Sequence, residues 1–245
     1  MSAGVAAFFD LDGTLVPEPS LEGRLFSSLR SNGAIPHLNY LLWCVEALRL
    51  FPGGLRRMRF ANKRHLTGLN ADYALQHLDS VTFFEEGIAR AVWHAQQFHQ
   101  IVLVTGTLQP LAQLAAGALE CELEARGLAV RIHLLATQLA ESRGVWTGRL
   151  VGEALYGAEK ARAVVALGQA RQWNLAQSHA YGNTPLDRDF LSAVGHAHAV
   201  NPGGELAALA NREDWPIWHW YQGKKLASYA SSSCTSEIPS LEGPA

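Results

Sequence analysis

Val5-Ala6-Ala7-Phe8-Phe9-Asp10-Leu11-Asp12-Gly13-Thr14-Leu15 is the stretch on which the fold turns. Five apolar residues in a row, without alternation, suit a strand buried on both faces of a parallel sheet. The run stops at an acid, and Gly13 permits a tight turn directly after it. In a strand, Asp10 and Asp12 would leave by the same face as each other and opposite to Leu11, whereas in a turn beyond the strand both can approach one ligand. A lone Asp-x-Asp after a strand also serves as a turn or a helix cap, so the pair needs company to mean chemistry.

Helical periodicity follows over 20–30, 35–51, 54–66 and 71–78, punctuated by Pro36, Pro52-Gly53-Gly54 and Gly68. Past Ser80 the character changes. A helix over 85–99 leads to a strand at 101–104, which ends in Thr105-Gly106-Thr107, and Pro110 opens the next helix. A strand is expected at 129–136, a hairpin over 138–151 turning near Arg143-Gly144, and a helix over 158–171. A strand at 178–181 runs into Gly182-Asn183-Thr184-Pro185, with a helix from Pro185. A strand at 197–200, a turn at Asn201-Pro202-Gly203-Gly204 and a last strand within 215–220 complete the pattern. Alternating strands and helices predict an α/β fold with a parallel sheet and right-handed crossovers. Ligands in such sheets bind beyond the carboxyl ends of the strands. Asp10, Asp12, Thr105 and the run from Asn183 to Asp187 converge there.

Composition is globular: 245 residues, 48% hydrophobic and 17% charged, enough for one large core with a smaller insertion. The net charge is -2 and no Lys/Arg stripe appears, so no nucleic-acid partner is expected. Cys44, Cys121 and Cys234 form no CxxC pair and no zinc spacing. An odd count fits a reducing compartment, and the N-terminus lacks the pattern of a signal peptide, so a cytoplasmic location is expected. Residues 35–51 are the most apolar stretch, but Pro36, Asn39, Glu46 and Arg49 interrupt it, which argues against a membrane span. Either a buried or amphipathic helix, or a surface that meets lipid or a greasy substrate, accounts for it.

Phe9-Asp10-Leu11-Asp12-Gly13-Thr14-Leu15 resembles the first signature, DxDG[TS]L, of the haloacid dehalogenase superfamily. Val104-Thr105-Gly106-Thr107 is similar to the second, Lys160 in Gly157-Ala158-Glu159-Lys160 to the third, and Tyr181-Gly182-Asn183-Thr184-Pro185-Leu186-Asp187 to the fourth, GDSxxD. Four signatures in order, each at a strand end or helix start, make a specific match where any one alone is weak. The helices after the first signature resemble the small cap of the phosphoserine-phosphatase-like subgroup (subfamily IB). The resemblance implies a Rossmann-like three-layer parallel-sheet core with a small inserted helical cap. Residues 1–16 and 81–225 are then core, 17–80 cap, and the Ser-rich 226–245 a disordered tail.

For the site, the resemblance implies Asp10 as nucleophile and Asp12 as general acid, then base. Thr105 and the Gly106 amide would hold a phosphate oxygen, and Lys160 would neutralise charge. Asp10, Asp12, Asn183 and Asp187 would bind Mg2+. Alone, Thr105 would be a helix cap, Lys160 a solvated residue and Asp187 a cap or a partner of Arg188. One position departs: Asn183 stands where the family carries Asp, offering an oxygen but no charge. Arg56, Arg57, Arg59, Lys63 and Arg64 fall together on an expected cap helix, either as a solvated face or reaching the substrate. Glu18 lies near where phosphoserine phosphatases carry a substrate-binding Glu, but at a different offset and between two prolines.

The expected activity is Mg2+-dependent hydrolysis of a small phosphorylated metabolite, phosphoserine-like, through an aspartyl-phosphate. Alternatives are a phospholipid head-group phosphatase (phosphatidylglycerophosphatase-like), a phosphotransferase, or a catalytically weak binding module, the last motivated by Asn183. Peripheral membrane contact fits the lipid alternative, and oligomeric state is not readable. Of ten histidines, His94 and His99 show no productive partner in sequence, while His196 and His198 share one strand face. The seven tryptophans are expected to fill core gaps or cover a sheet edge.

Overall fold

Ala6–Phe9 forms β1, and all four of its residues are fully buried, as an unalternating apolar run requires. Its side chains leave alternately for two separate cores: Ala7 and Phe9 into one, Ala6 and Phe8 into the other. The computed structural model describes residues 3–220. Within them β1 lies inside a six-stranded parallel sheet with β2 (Gln100–Leu108), β3 (His133–Thr137), β6 (His179–Gly182), β7 (His196–Val200) and β8 (Ile217–Trp218), in the order β3-β2-β1-β6-β7-β8. Helices α5 (Glu85–Gln96) and α6 (Gln109–Glu124) supply the first core, and α7 (Ala158–Arg171), α8 (Arg188–Leu191) and α9 (Gly204–Arg212) the second. This is the expected three-layer α/β, Rossmann-like architecture.

Four helices separate β1 from α5: α1 (Leu21–Ser31), α2 (His37–Leu50), α3 (Leu55–Ala61) and α4 (Ala71–Leu75). A hairpin of β4 (Leu139–Ser142) and β5 (Val145–Leu150) reaches back to them, with Arg143 and Gly144 both at positive φ in its turn. The amide of Trp146 donates to Leu69 O (2.9 Å), and Trp146 O accepts from Gly68 N (2.8 Å). Trp146 itself is fully buried, so the hairpin and the inserted helices share a core.

Three elements differ from the sequence expectations. The stretch 54–66 is not one helix: α3 stops at Ala61, Asn62 is extended, and a separate 3-10 turn covers Arg64–Leu66. Arg56, Arg57 and Arg59 therefore lie on α3 while Lys63 and Arg64 lie beyond it, which corrects the single basic face. β2 is nine residues long because a bulge between Thr105 and Leu108 prolongs its pairing with β3. The turn at Asn201-Pro202-Gly203-Gly204 is also a helix entry, Gly203 capping α9, which glycine-rich sequence concealed. The expected tail at 226–245 lies outside the described residues. Among those residues, no helix is long and apolar enough to cross a membrane.

Candidate active site

Asp10 is the first residue past β1, where its amide still donates to Tyr181 O (2.9 Å). The turn beyond it closes through Leu15 N and Val16 N, both donating to Leu11 O (2.9 and 2.8 Å). Gly13 takes φ +78°, and a Cβ there would sit 2.0 Å from Asn183 Nδ2. Only glycine serves both demands, so the loops after β1 and β6 meet here because this position has no side chain.

The strand-end residues named from sequence gather at this meeting. The Asp10 carboxylate is almost fully buried; one oxygen accepts from Lys160 Nζ (2.5 Å) and the other from Thr14 Oγ1 (3.0 Å). Lys160 enters from the first turn of α7 and donates also to Asp187 Oδ1 (2.7 Å). The second Asp187 oxygen accepts from Thr184 N and Thr184 Oγ1 (3.0 and 2.8 Å), forming a capping box at the start of the helical turn 185–187. Asp12 accepts from Leu21 N (2.9 Å) and from Thr107 Oγ1. Thr105 is buried, its oxygen accepting from Thr107 N (3.1 Å), which leaves its own hydroxyl proton to donate. The bulge in β2 falls between Thr105 and Leu108, and Thr107 within it reaches Asp12.

Burial pushes the Asp10 carboxyl up to about 7; Lys160 pulls it down, and Asp187 and Asp12 add to the rise. Burial raises Asp12 as well, opposed by the hydrogen bonds from Thr107 and Leu21 and helped by Glu22 and Glu18. For Lys160, burial acts to lower the pKa, but the flanking carboxylates Asp10 and Asp187 outweigh it and hold the ammonium protonated. A raised acid beside a second carboxylate and a fixed cation can donate a proton while its neighbour attacks an electrophile.

Asn183 Oδ1 is buried and has no hydrogen-bond partner among the described residues. A buried carbonyl oxygen without a donor carries a desolvation penalty that a hard cation removes. The donor set fits such an ion: carboxylate, amide and backbone oxygens, with no sulfur or imidazole.

A second ion pair, with one buried partner, adjoins the site. Glu22, in the first turn of α1, accepts from Leu108 N (3.0 Å) and pairs with Lys63, which is buried. Lys63 is thus brought in, whereas Arg56, Arg57 and Arg59 stay exposed and form no ion pair among the described residues. Glu22 escaped the sequence analysis: an acid in a first helical turn reads as a dipole complement.

His94 and His99, which lacked partners in sequence, have them in space. His94 Nδ1 lies 2.9 Å from His99 Nδ1, and His94 Nε2 lies 2.9 Å from the Tyr181 hydroxyl. His179 Nδ1 faces His198 Nε2 (3.2 Å), and His198 Nδ1 accepts from the Trp218 indole (3.2 Å). Because indole only donates, neutral His198 carries its proton on Nε2 and gives it to His179 Nδ1, leaving the His179 proton on Nε2. The result is a neutral network along β6 and β7, running from His179 at the amino end of β6 to Tyr181 near its carboxyl end.

A model of the haloacid dehalogenase-like hydrolase family matches residues 7–192. Phosphoserine phosphatase SerB1 of Mycobacterium tuberculosis is 33% identical over 241 residues, covering 91% of this chain and 73% of that protein. The inhibition of morphological differentiation protein of Streptomyces azureus is 25% identical over 239 residues, covering 90% and 80%. Among solved structures, a phospho-aspartyl intermediate analogue of phosphoserine phosphatase superposes with TM-score 0.61 at 16% identity, covering 90% of this chain and 95% of that one. Apo phosphoserine phosphatase gives 0.62 at 17%, covering 89% and 94%.

Proposed function

The chain belongs to the haloacid dehalogenase-like hydrolase family, and from that premise we propose that it hydrolyses phosphomonoesters through an aspartyl-phosphate at Asp10. The observation that carries this is the buried Asp10 carboxylate, held between Lys160 and Thr14 at a strand end, with the raised acid Asp12 one turn on. The Asp10 oxygen attacks phosphorus while the bond to the alcohol oxygen breaks, and the Asp12 carboxyl gives its proton to that oxygen. Asp12, now a carboxylate, takes a proton from water as the water attacks the phospho-enzyme. Inorganic phosphate leaves, the Asp10 carboxylate is restored and Asp12 is again protonated. Thr105 and the Gly106 amide hold a phosphoryl oxygen, and Lys160 balances charge that builds there.

Mg2+ would be held by the Asp10 side chain, the Asp12 carbonyl and Asn183 Oδ1, and when bound would neutralise the phosphate among these acids. Asp187 was expected as a further ligand. With three hydrogen bonds already accepted by its two oxygens, it serves better to position Lys160. Residues 17–80 would act as a cap over a core of 1–16 and 81–225, of which 221–225 lie outside the described residues, with the hairpin at 139–150 as its second wall.

For the substrate we favour a small phosphorylated metabolite of the phosphoserine type, supported by the 33% identical relative. A phospholipid head-group monoester is the second reading, favoured by the exposed apolar face of α2. The decisive assay measures phosphate release from p-nitrophenyl phosphate and phosphoserine with added Mg2+. Wild-type protein turns over and forms an acid-stable, hydroxylamine-sensitive phospho-enzyme, while Asp10→Asn loses at least roughly 10³-fold in kcat and forms none. Full activity in Asp10→Asn sinks the assignment.

A further inference from the structure

Twelve large hydrophobic side chains are exposed among the described residues, and seven of them fall between Leu38 and Leu55. Leu38, Leu41, Val45 and Leu48 recur at spacings of three, four and three along α2, so they line one face of that helix. Phe51 and Leu55 extend the line into α3. Their exposure is large: 62% for Leu38, 77% for Leu48 and 66% for Leu55.

The stripe faces outward because the opposite face of α2 is pinned. Buried Asn39 donates to His65 O (3.1 Å) and Thr67 O (2.6 Å), and Asn62 Nδ2 donates to Trp43 O (2.8 Å). Phe26 packs against both Trp43 and His65 behind it. Rotating the helix to hide the leucines would break these bonds and expose Asn39 in their place.

Charge identifies what covers the stripe. His37–Ala61 contains Arg49, Arg56, Arg57 and Arg59 against the single acid Glu46, a net of +3 in a chain whose total is -2, so the other residues sum to -5. Glu46 is shared by Arg49 (3.6 Å) and Arg64 (3.8 Å), while the three arginines of α3 are unpaired among the described residues. An apolar stripe bordered by unneutralised arginines fits the boundary between anionic headgroups and acyl chains. A second copy fits less well, because apposing two such stripes sets two segments of net charge +3 against each other, with only Glu46 on each to offset the arginines.

We infer that α2 and α3 form a docking face for an anionic lipid surface, with the apolar stripe entering the acyl boundary and Arg49, Arg56, Arg57 and Arg59 meeting the headgroups. This binding does not depend on the hydrolytic reading: it is measured without turnover, and an inactive protein that binds vesicles leaves it intact.

The test is co-sedimentation of the full chain with vesicles of equal parts phosphatidylglycerol and phosphatidylcholine, against pure phosphatidylcholine. Wild-type protein pellets with the anionic vesicles and not with the neutral ones, and raising the salt releases it. The doubly substituted variants Leu48→Glu/Leu55→Glu and Arg56→Glu/Arg57→Glu each lose at least ten-fold in partitioning. All four side chains are exposed, so thermal melting of both variants matches wild type, and the salt titration of the wild type tests the electrostatic half without any substitution. Failure of the wild type to pellet with anionic vesicles at low salt overturns the inference, as does unchanged binding of Leu48→Glu/Leu55→Glu. So does a wild-type dimer in sedimentation velocity that this variant dissolves without any vesicle binding, since the stripe then seats a second copy.

Discussion

At the residue scale, Asn183 and Thr107 are the two positions where this site is tuned. On the proposed reading, Asn183 would offer a cation an oxygen that is buried and unpartnered among the described residues, but no charge. Asn183→Asp adds a charge at the same oxygen position, and since ligand charge sets the affinity of hard-cation sites, the Mg2+ concentration for half-maximal activity should fall roughly ten-fold. A metal titration monitoring activity reads this directly, and an unchanged midpoint removes Asn183 from the ligand set. Thr107 donates to Asp12 and so holds its carboxyl lower than burial alone would. In Thr107→Val the Asp12 pKa rises further. Protonated Asp12 is the form that serves the leaving alcohol, so the alkaline limb of kcat/KM moves to higher pH. Loss of orientation should lower kcat/KM itself by roughly 10- to 100-fold. A limb that moves to lower pH contradicts the assigned role.

At the element scale, β6 and β7 carry different chemistry at their two ends. The carboxyl end of β6 leads into the loop of Asn183, while His179 and His196, at the amino ends of the two strands, belong to the histidine network with α5. Burial keeps His94 down to about 2, and neighbouring His179 and His99 add to the effect; His198 falls to about 3 and His179 to about 4 by the same causes. Each folded-state pKa lies below the unfolded value near 6.5, so the unfolded chain binds more protons as pH drops below 6.5. The stability these rings contribute is complete above that pH and is lost progressively as the pH falls from there, ending near pH 4 for His179 and near pH 2 for His94. Asp10 and Asp12, raised by burial, act in the opposite sense, so the network must be isolated by substitution. His94→Leu leaves the Tyr181 hydroxyl and His99 without this partner and lowers absolute stability. It also removes one titrating ring, so the fall in unfolding free energy between pH 6.5 and 4.5 becomes shallower by up to about 1.4 kcal/mol per pH unit. Urea unfolding across that range measures it, and an unchanged slope means the ring does not titrate as stated.

The same scale shows what local sequence carries. β1 and α7 were legible almost to the residue, because an unalternating apolar run and a Gly-started helix are local signals. The β4–β5 hairpin was legible from Arg143-Gly144. The split at Asn62 was not, since the bond that ends α3 there reaches back nineteen residues to Trp43. The bulge after Thr105 depends on pairing with β3, which periodicity within β2 does not report.

For the whole molecule, the order of strand, acid, glycine and later strand ends was enough to determine the α/β class and the gathering of Asp10, Asp12, Thr105 and Asn183 at one pole. Parallel strands joined by right-handed crossovers leave their carboxyl ends together, whatever the details between them. Glu22 and Lys63, the partners of His94, and the outward turn of the α2 stripe were decided only by tertiary structure. Each depends on contacts between segments far apart in the chain: Lys63 meets Glu22 across forty-one residues and His94 meets Tyr181 across eighty-seven. Periodicity shows that a helix has an apolar face; only packing decides whether that face is covered, and on α2 the polar pins at Asn39 and Asn62 turn it to the outside.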